Sequence, residues 1–116
     1  MTEILVDTDV FIDHLRGSRG FISGKDVVSY SVITRAELFS GRNVDERGID
    51  SLLAPLNEIL VDRTIAQRAG RIRRTSRLRT PDALIAATAL ERELPLVTRN
   101  AEDYKGIKGL KVVAPR

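Results

Sequence analysis

Four carboxylates stand where alternating strands and helices could bring them together: Asp7, Glu37, Asp82 and Asp103. Asp7 follows the apolar run ILV and opens a helical segment. Glu37 lies in the first turns of the helix after VVSYS, and Asp82 sits behind Thr80-Pro81 at the start of an apolar helix. Asp103 comes just after PLVT and the turn Arg99-Asn100. Acids gathered at one place repel, and their pKa values rise unless something positive sits among them. A hard divalent cation answers that repulsion: Mg²⁺, or Mn²⁺ with similar ligands, takes oxygen donors and keeps several waters, so few carboxylates suffice. Such an ion lowers the pKa of a bound water and stabilises a leaving oxygen, the chemistry of phosphodiester hydrolysis. Each acid also has a plainer reading. Thr34-Arg35-Ala36-Glu37 matches a capping box, Thr80-Pro81-Asp82 a helix start with an acid at its positive end, and Asp7 and Asn100 are good helix caps.

The elements must carry these residues to one place. Candidate strands are Glu3–Val6, Asp26–Ser29, Glu58–Val61, Pro95–Thr98 and Leu110–Val113. Helical patterns cover Asp9–Arg16, Ile33–Gly41, Asp45–Ala54, Thr64–Arg77 and Pro81–Glu93, with a short piece after Asn100. Nearly continuous apolar strands separated by helices predict an α/β doubly wound sandwich, a parallel sheet covered on both faces. In such a sheet the carboxyl ends of the strands share one edge, where ligands bind. Loop and helix-start residues can therefore meet there although 30, 45 and 21 positions separate the four acids. Asp82 follows a helix, so its arrival at that edge is an inference. Asp9 and Asp13, one turn apart, are expected near a helix start on its exposed face; Asp45, Glu46, Asp50, Glu91 and Glu93 read as solvated.

Charge is distributed unevenly. The chain carries 19 Lys+Arg against 16 Asp+Glu, and Arg63 to Arg79 holds seven arginines and no acid. On the helix over Thr64–Arg77, Ile65, Ala69, Ile72 and Ser76 form the buried stripe, while Arg71, Arg73, Arg74 and Arg77 point to solvent. Arginines suit bidentate phosphate contact, so phosphate contacts are expected from Arg73, Arg74, Arg77 and Arg99; a solvated face explains them equally well. Only five aromatic residues are present, so binding would run through phosphates and shape instead of base stacking. Without cysteine, and with His14 alone, there is no zinc site or thiol nucleophile. Glycine-rich phosphate loops and a serine nucleophile elbow are missing too. The 116 residues fit one domain, 1–116, of ordinary globular composition at 42% hydrophobic and 30% charged. No stretch is long enough to span a bilayer and the first residues do not form a secretory signal, which predicts a cytoplasmic protein.

ILVDTDVFIDHL, SVITRAELFSG, PDALIAATAL and LVTRNAEDYKGIKGLKVVAP, in that order, resemble the PIN-domain family and more narrowly the VapC toxins of type II toxin–antitoxin (VapBC) pairs. The resemblance runs from first strand to last. It implies a five-stranded parallel sheet, an Mg²⁺- or Mn²⁺-dependent endoribonuclease acting on tRNA or rRNA, inhibition by a VapB-type antitoxin, and a homodimer. The family's acidic residues map onto Asp7, Glu37, Asp82 and Asp103, and its hydroxyl and amide near the fourth strand onto Thr98 and Asn100, expected to order waters or the last carboxylate. Two positions depart: Asp9 stands where the family usually has Ser or Thr, which adds a negative charge beside the site, and Tyr104 where Phe commonly follows the fourth acid. Two other readings compete. A haloacid-dehalogenase-type phosphatase would use Asp7 as nucleophile and Asp9 as acid, but PLVTRN lacks its later acidic pair. A phospho-acceptor receiver domain would use Asp62 as acceptor, with a late lysine that Lys108 and Lys111 do not supply at the right strand end.

Overall fold

The computed structural model describes residues 2–17 and 24–115. Five strands, β1 (Glu3–Val6), β2 (Val27–Ser31), β3 (Asn57–Ile59), β4 (Leu96–Val97) and β5 (Val112–Val113), form one sheet in the order β3-β2-β1-β4-β5. Every pairing is parallel, so the doubly wound sandwich expected from the sequence is the observed fold. Five helices connect the strands: α1 (Thr8–Leu15), α2 (Val32–Phe39), α3 (Glu46–Leu53), α4 (Arg63–Arg74) and α5 (Thr80–Arg92), with a 3-10 turn at Ala101–Tyr104. Among the described residues no helix is long and apolar enough to cross a membrane.

The pleat divides the core. Ile4 and Val6 of β1, with Val97 of β4, face one side and pack with Val10 and Phe11 of α1, Leu38 of α2 and Ile49 and Leu53 of α3. Leu5 and Leu96 face the other side and pack with Ile65 and Ala69 of α4 and the alanine-rich α5. Alternation along β1 therefore serves two buried faces, which is why the strand reads as continuously apolar. Burying each large side chain contributes about 1.5–3 kcal/mol. Thr88, the one polar residue in the apolar stretch of α5, is fully buried and donates its hydroxyl to the Leu84 carbonyl at 2.7 Å.

β1 spans the expected residues, and the other elements differ from the pattern by up to three residues at an end for reasons that are local. α1 starts at Thr8 because Asp7, in an extended conformation, is its N-cap. α2 is capped by Ser31, whose Oγ accepts from the Ile33 amide at 3.1 Å. α4 ends at Arg74, three residues early, so Ser76 and Arg77 lie in the following turn; Ser76 Oγ accepts the Leu78 amide there. β3 ends at Ile59, leaving Leu60 exposed.

Candidate active site

β1 and β4 are neighbours, yet the chain leaves them towards opposite edges of the sheet. That reversal opens a crevice beyond their carboxyl ends. The residues entering it are Asp7, one position past β1, and Thr98, one position past β4.

Asp7 is buried, with 4% of its surface exposed. Its Oδ1 accepts the Thr8 amide at 2.8 Å, while Oδ2 accepts the Thr98 hydroxyl at 2.9 Å and the Tyr104 hydroxyl at 3.0 Å. These donors favour the carboxylate, but burial outweighs them and the neighbouring Asp9 adds to it, pushing the pKa up to about 6. The capping reading of Asp7 is thus correct and incomplete, since one oxygen caps α1 and the other is held towards the crevice.

Glu37 does not belong to a capping box. Its Oε1 accepts the Thr8 hydroxyl at 2.7 Å, and Thr8 Oγ1 lies 2.9 Å from the buried Thr34 hydroxyl. Because Thr8 has one hydroxyl proton and gives it to Glu37, Thr34 is the donor to Thr8. Two threonines thereby fix Glu37 beside α1. Asp82 stands in the first turn of α5, behind Arg79 as N-cap, and does arrive at the crevice. Burial raises its pKa, Asp103 raises it further, and Arg79 opposes both. Asp103, on the 3-10 turn, is the exposed rim. All four acids line one cleft of about 160 Å³, shared with Thr8, Asp9, Ile12, Asn100 and Tyr104.

Asp9 corrects the sequence reading. Instead of lying on an exposed helix face, it lines the cleft, and its Oδ2 accepts from the Arg99 amide at 3.1 Å and Asn100 Nδ2 at 2.8 Å, with Thr98 Oγ1 at 3.3 Å. Among the described residues its Oδ1 is buried without a hydrogen-bond partner, and burial raises the pKa of the carboxyl. One turn on, Asp13 pairs with Arg99 Nε at 2.8 Å. The face of α1 that carries Asp9 and Asp13 is therefore a clasp on the loop leaving β4. The side chains of Thr98 and Asn100 meet Asp7 and Asp9 through these bonds, while the last carboxylate of the expectation, Asp103, is met by Asn100 only through the bond from the Asp103 amide to the Asn100 carbonyl at 3.0 Å. Asp50 and Glu91 are likewise paired, with Arg35 and Arg68.

Two contributors escaped the sequence reading, Thr8 and the hydroxyl of Tyr104; the resemblance puts the charge of Asp9 beside the site, but not its hold on the loop after β4. Tyr104 is buried among apolar residues with its hydroxyl reaching Asp7, and burial beside Asp7 and Asp82 raises its own pKa. The available signal was its departure from Phe. Of the arginines, Arg73 donates Nε to the Leu78 carbonyl at 3.1 Å, Arg74 is exposed at the end of α4, Arg77 lies in the turn after it, and Arg99 is held by Asp13. Asp62 caps α4 through the Ile65 amide and does not line the cleft, which removes the acceptor a receiver domain needs.

The cleft offers oxygen donors only. Among the described residues no three acids or histidines close into a ready ligand shell. Asp7 nevertheless stays buried at a raised pKa, and Asp9 Oδ1 is orphaned beside it. Oxygen ligands from few side chains, with the remainder from water, fit a hard divalent ion and not a closed cage.

The PIN domain family profile matches residues 4–109. Ribonuclease VapC10 of Mycobacterium tuberculosis is 39% identical over 120 residues, covering 93% of this chain and 90% of that one. Ribonuclease VapC19 of the same organism is 29% identical over 113 residues, covering 86% and 90%. Among solved structures, a toxin–antitoxin complex from Klebsiella pneumoniae superposes with a TM-score of 0.81 at 33% identity, covering 95% of both chains.

Proposed function

The chain belongs to the PIN-domain family, and from that premise we propose that it is the endoribonuclease toxin of a VapBC-type pair, acting on structured RNA in the cytoplasm. The observation that carries this reading is the gathering of Asp7, Glu37, Asp82 and Asp103 in one cleft at the switch point of the sheet. Similarity to the VapC ribonucleases supports the substrate, and the toxin–antitoxin complex among the structural neighbours supports a VapB-type antitoxin as partner. A homodimer completes the proposed assembly.

In this reading Asp7 and Asp82 hold the principal ion, Mg²⁺ or Mn²⁺, with Glu37 and Asp103 completing the site or holding waters. A divalent ion bound there supplies Lewis acidity to the phosphoryl oxygens and a lowered pKa to water. The chain's own residues do the rest. Thr98 and Tyr104 aim Asp7 Oδ2 and Thr8 aims Glu37. Asn100, the Arg99 amide and Thr98 keep Asp9 directed at the β4 loop. Fixed carboxylates need no rearrangement when the phosphodiester arrives. Arg74 and Arg77 offer phosphate contacts, while Arg73 and Arg99, each with an internal partner, add positive charge to the approach.

The test is cleavage of a structured-RNA pool with Mg²⁺ or Mn²⁺, with EDTA and the Asp7→Asn protein as controls. Metal-dependent cuts that vanish in both controls are the expected outcome. Cuts that survive Asp7→Asn would move the chemistry elsewhere.

A further inference from the structure

Beside the acid cleft runs a second, larger depression of about 590 Å³, between the end of α4 with its following turn and the loop after the 3-10 turn. Its walls carry Arg71 and Arg77 on one side and Lys105 and Lys108 on the other. Ile72, Leu90 and Ile107 are the apolar part of its lining. Arg68 at its border is already engaged by Glu91. Lys105 has only a 4.0 Å approach to Glu102, both side chains being about four-fifths exposed. Among the described residues Arg71, Arg77 and Lys108 have no acid within ion-pair range. Asp103 lines both this trough and the acid cleft, and between them a depression of about 380 Å³ is bordered by Arg77 and Arg79 together with Asp82, Glu102 and Asp103. Cleft, depression and trough are thus one continuous surface whose sign changes from acidic to basic at Asp103.

A basic trough joined to a carboxylate cleft through a depression of mixed charge has a chemical meaning. The carboxylates of the cleft repel the rest of a polyanion, so cations that hold flanking phosphates nearby favour its presentation there. Unpaired Arg and Lys side chains do that without reading bases, and the few aromatics leave phosphates as the handle. We propose that the trough walled by Arg71, Arg77, Lys105 and Lys108 holds the sugar-phosphate backbone of RNA on one side of the scissile linkage. This rests on the ribonuclease reading above. It also narrows the arginine-rich segment: the trough-facing Arg71 and Arg77, joined by lysines from a different part of the chain, carry the contact, and the whole arginine surface does not.

The test compares Arg71→Ala/Arg77→Ala/Lys108→Ala with a charge-matched triple variant, Arg47→Ala/Arg63→Ala/Arg92→Ala, whose exposed cations line none of the three depressions. Affinity for a fluorescein-labelled hairpin RNA is followed against salt in the Asp7→Asn background, and cleavage kinetics in the otherwise native protein. Thermal unfolding of both variants checks that each is folded. Each lost phosphate contact lowers the slope of log K against log salt by about 0.7–0.9, so the trough variant should lose about 2 or more from its slope. Its KM should rise about tenfold with kcat unchanged, the mark of lost uniform binding. The control variant should keep its slope and its KM. Equal losses in both variants would overturn the proposal in favour of diffuse charge. An unchanged trough variant in a protein that still cleaves RNA would overturn the trough alone; if that variant instead lost an acidic protein partner, the surface would be a protein interface. A parent protein that neither binds nor cuts RNA would bring down the trough and the ribonuclease reading together.

Discussion

Two clusters of charged side chains sit on the same sheet and obey opposite rules. On the β3 side, Arg35 of α2 donates Nε to Glu58 at 2.6 Å, Nη1 to Asp50 at 2.8 Å and Nη2 to the Tyr30 hydroxyl at 3.1 Å. Opposite charges meet, so the hydrogen bonds from Arg35 hold Glu58 below the usual carboxylate range, and the bond to Glu58 raises the arginine. At the β1–β4 switch point, five carboxylates line one cleft, and burial holds Asp7, Asp9 and Asp82 above their usual range. One cluster has relaxed its charges against each other and the other has not. Structural ion pairs perturb pKa values towards the charged form, whereas a site built to receive a cation leaves its carboxylates short of one.

The largest effect should come from removing the charge at the centre of the strained cluster. Asp7→Asn is expected to lower cleavage more than about 100-fold, beyond the range seen for residues that only support a ligand. The same change should stabilise the metal-free protein. Holding a carboxyl at about 6 instead of 3.8 costs the fold up to about 3 kcal/mol at neutral pH. The sign follows from proton binding: the folded state keeps a proton that the unfolded state has released. The cost is therefore absent below about pH 4, grows between 4 and 6, and is complete above. Metal-free wild type should thus lose stability across that window while Asp7→Asn shows a flatter profile, as measured by urea unfolding at several pH values. Added Mg²⁺ should raise the wild-type Tm and leave the variant unmoved. A less stable Asp7→Asn protein would mean that the cap on α1 outweighs the repulsion, contradicting the contrast drawn here.

A smaller effect sharpens the same contrast. Tyr104 donates to Asp7 Oδ2 and favours its ionised form, and it acts in the same direction on Asp82. Tyr104→Phe keeps the ring and removes that donor, so Asp7 should rise above its present value near 6. A hydrogen bond to a charged group is worth about 1.5–3 kcal/mol, so the acidic limb of the pH–cleavage profile should move up by about one to two pH units. The plateau rate at high pH should change little. An unmoved limb would mean that Tyr104 fills space beneath Asp7 without tuning it.

How much of this was legible follows from what each residue depends on. The strand and helix pattern depends on local sequence and neighbours in the chain, so Asp7 and Asp103 could be assembled from periodicity and the geometry of parallel sheets, with Asp82 added by inference. Glu37, expected in the first turns of its helix, lies in the second half of α2. Asp9 could not be assembled that way. Its spacing from Asp13 correctly puts both on one face of α1, but what covers that face is the loop after β4, ninety residues away in the chain. That contact depends on β1 pairing with β4, which follows from strand order and not from any local pattern. Tyr104 is similar: a 3-10 turn, too short to show a period, turns it inward. The capping box at Thr34–Glu37 failed for a different reason. The motif is real, but Ser31 begins the helix one turn earlier, which frees Thr34 and Glu37 to be drawn together through Thr8.

The smallest expected effect tests the relaxed cluster itself. Arg35, Glu58 and Asp50 are all substantially exposed, with side chains 34%, 31% and 62% accessible, so solvent screens most of their mutual attraction. The large displacement of the arginine therefore does not convert into stability. Arg35→Ala should cost about 0.5–1 kcal/mol in urea unfolding, the range of exposed ion pairs with a favourable network. Glu58 should return towards the ordinary carboxylate range, so the variant's deficit should be present above about pH 4 and fade as acid protonates Glu58 in both proteins. This dependence has the opposite sign to that of Asp7: the paired cluster loses stability as pH falls, the unpaired one as pH rises. Cleavage should be untouched, since Arg35 lines no part of the cleft. A cleavage defect without a matching loss of stability would link Arg35 to Glu37 through α2, and the two clusters would then be one site.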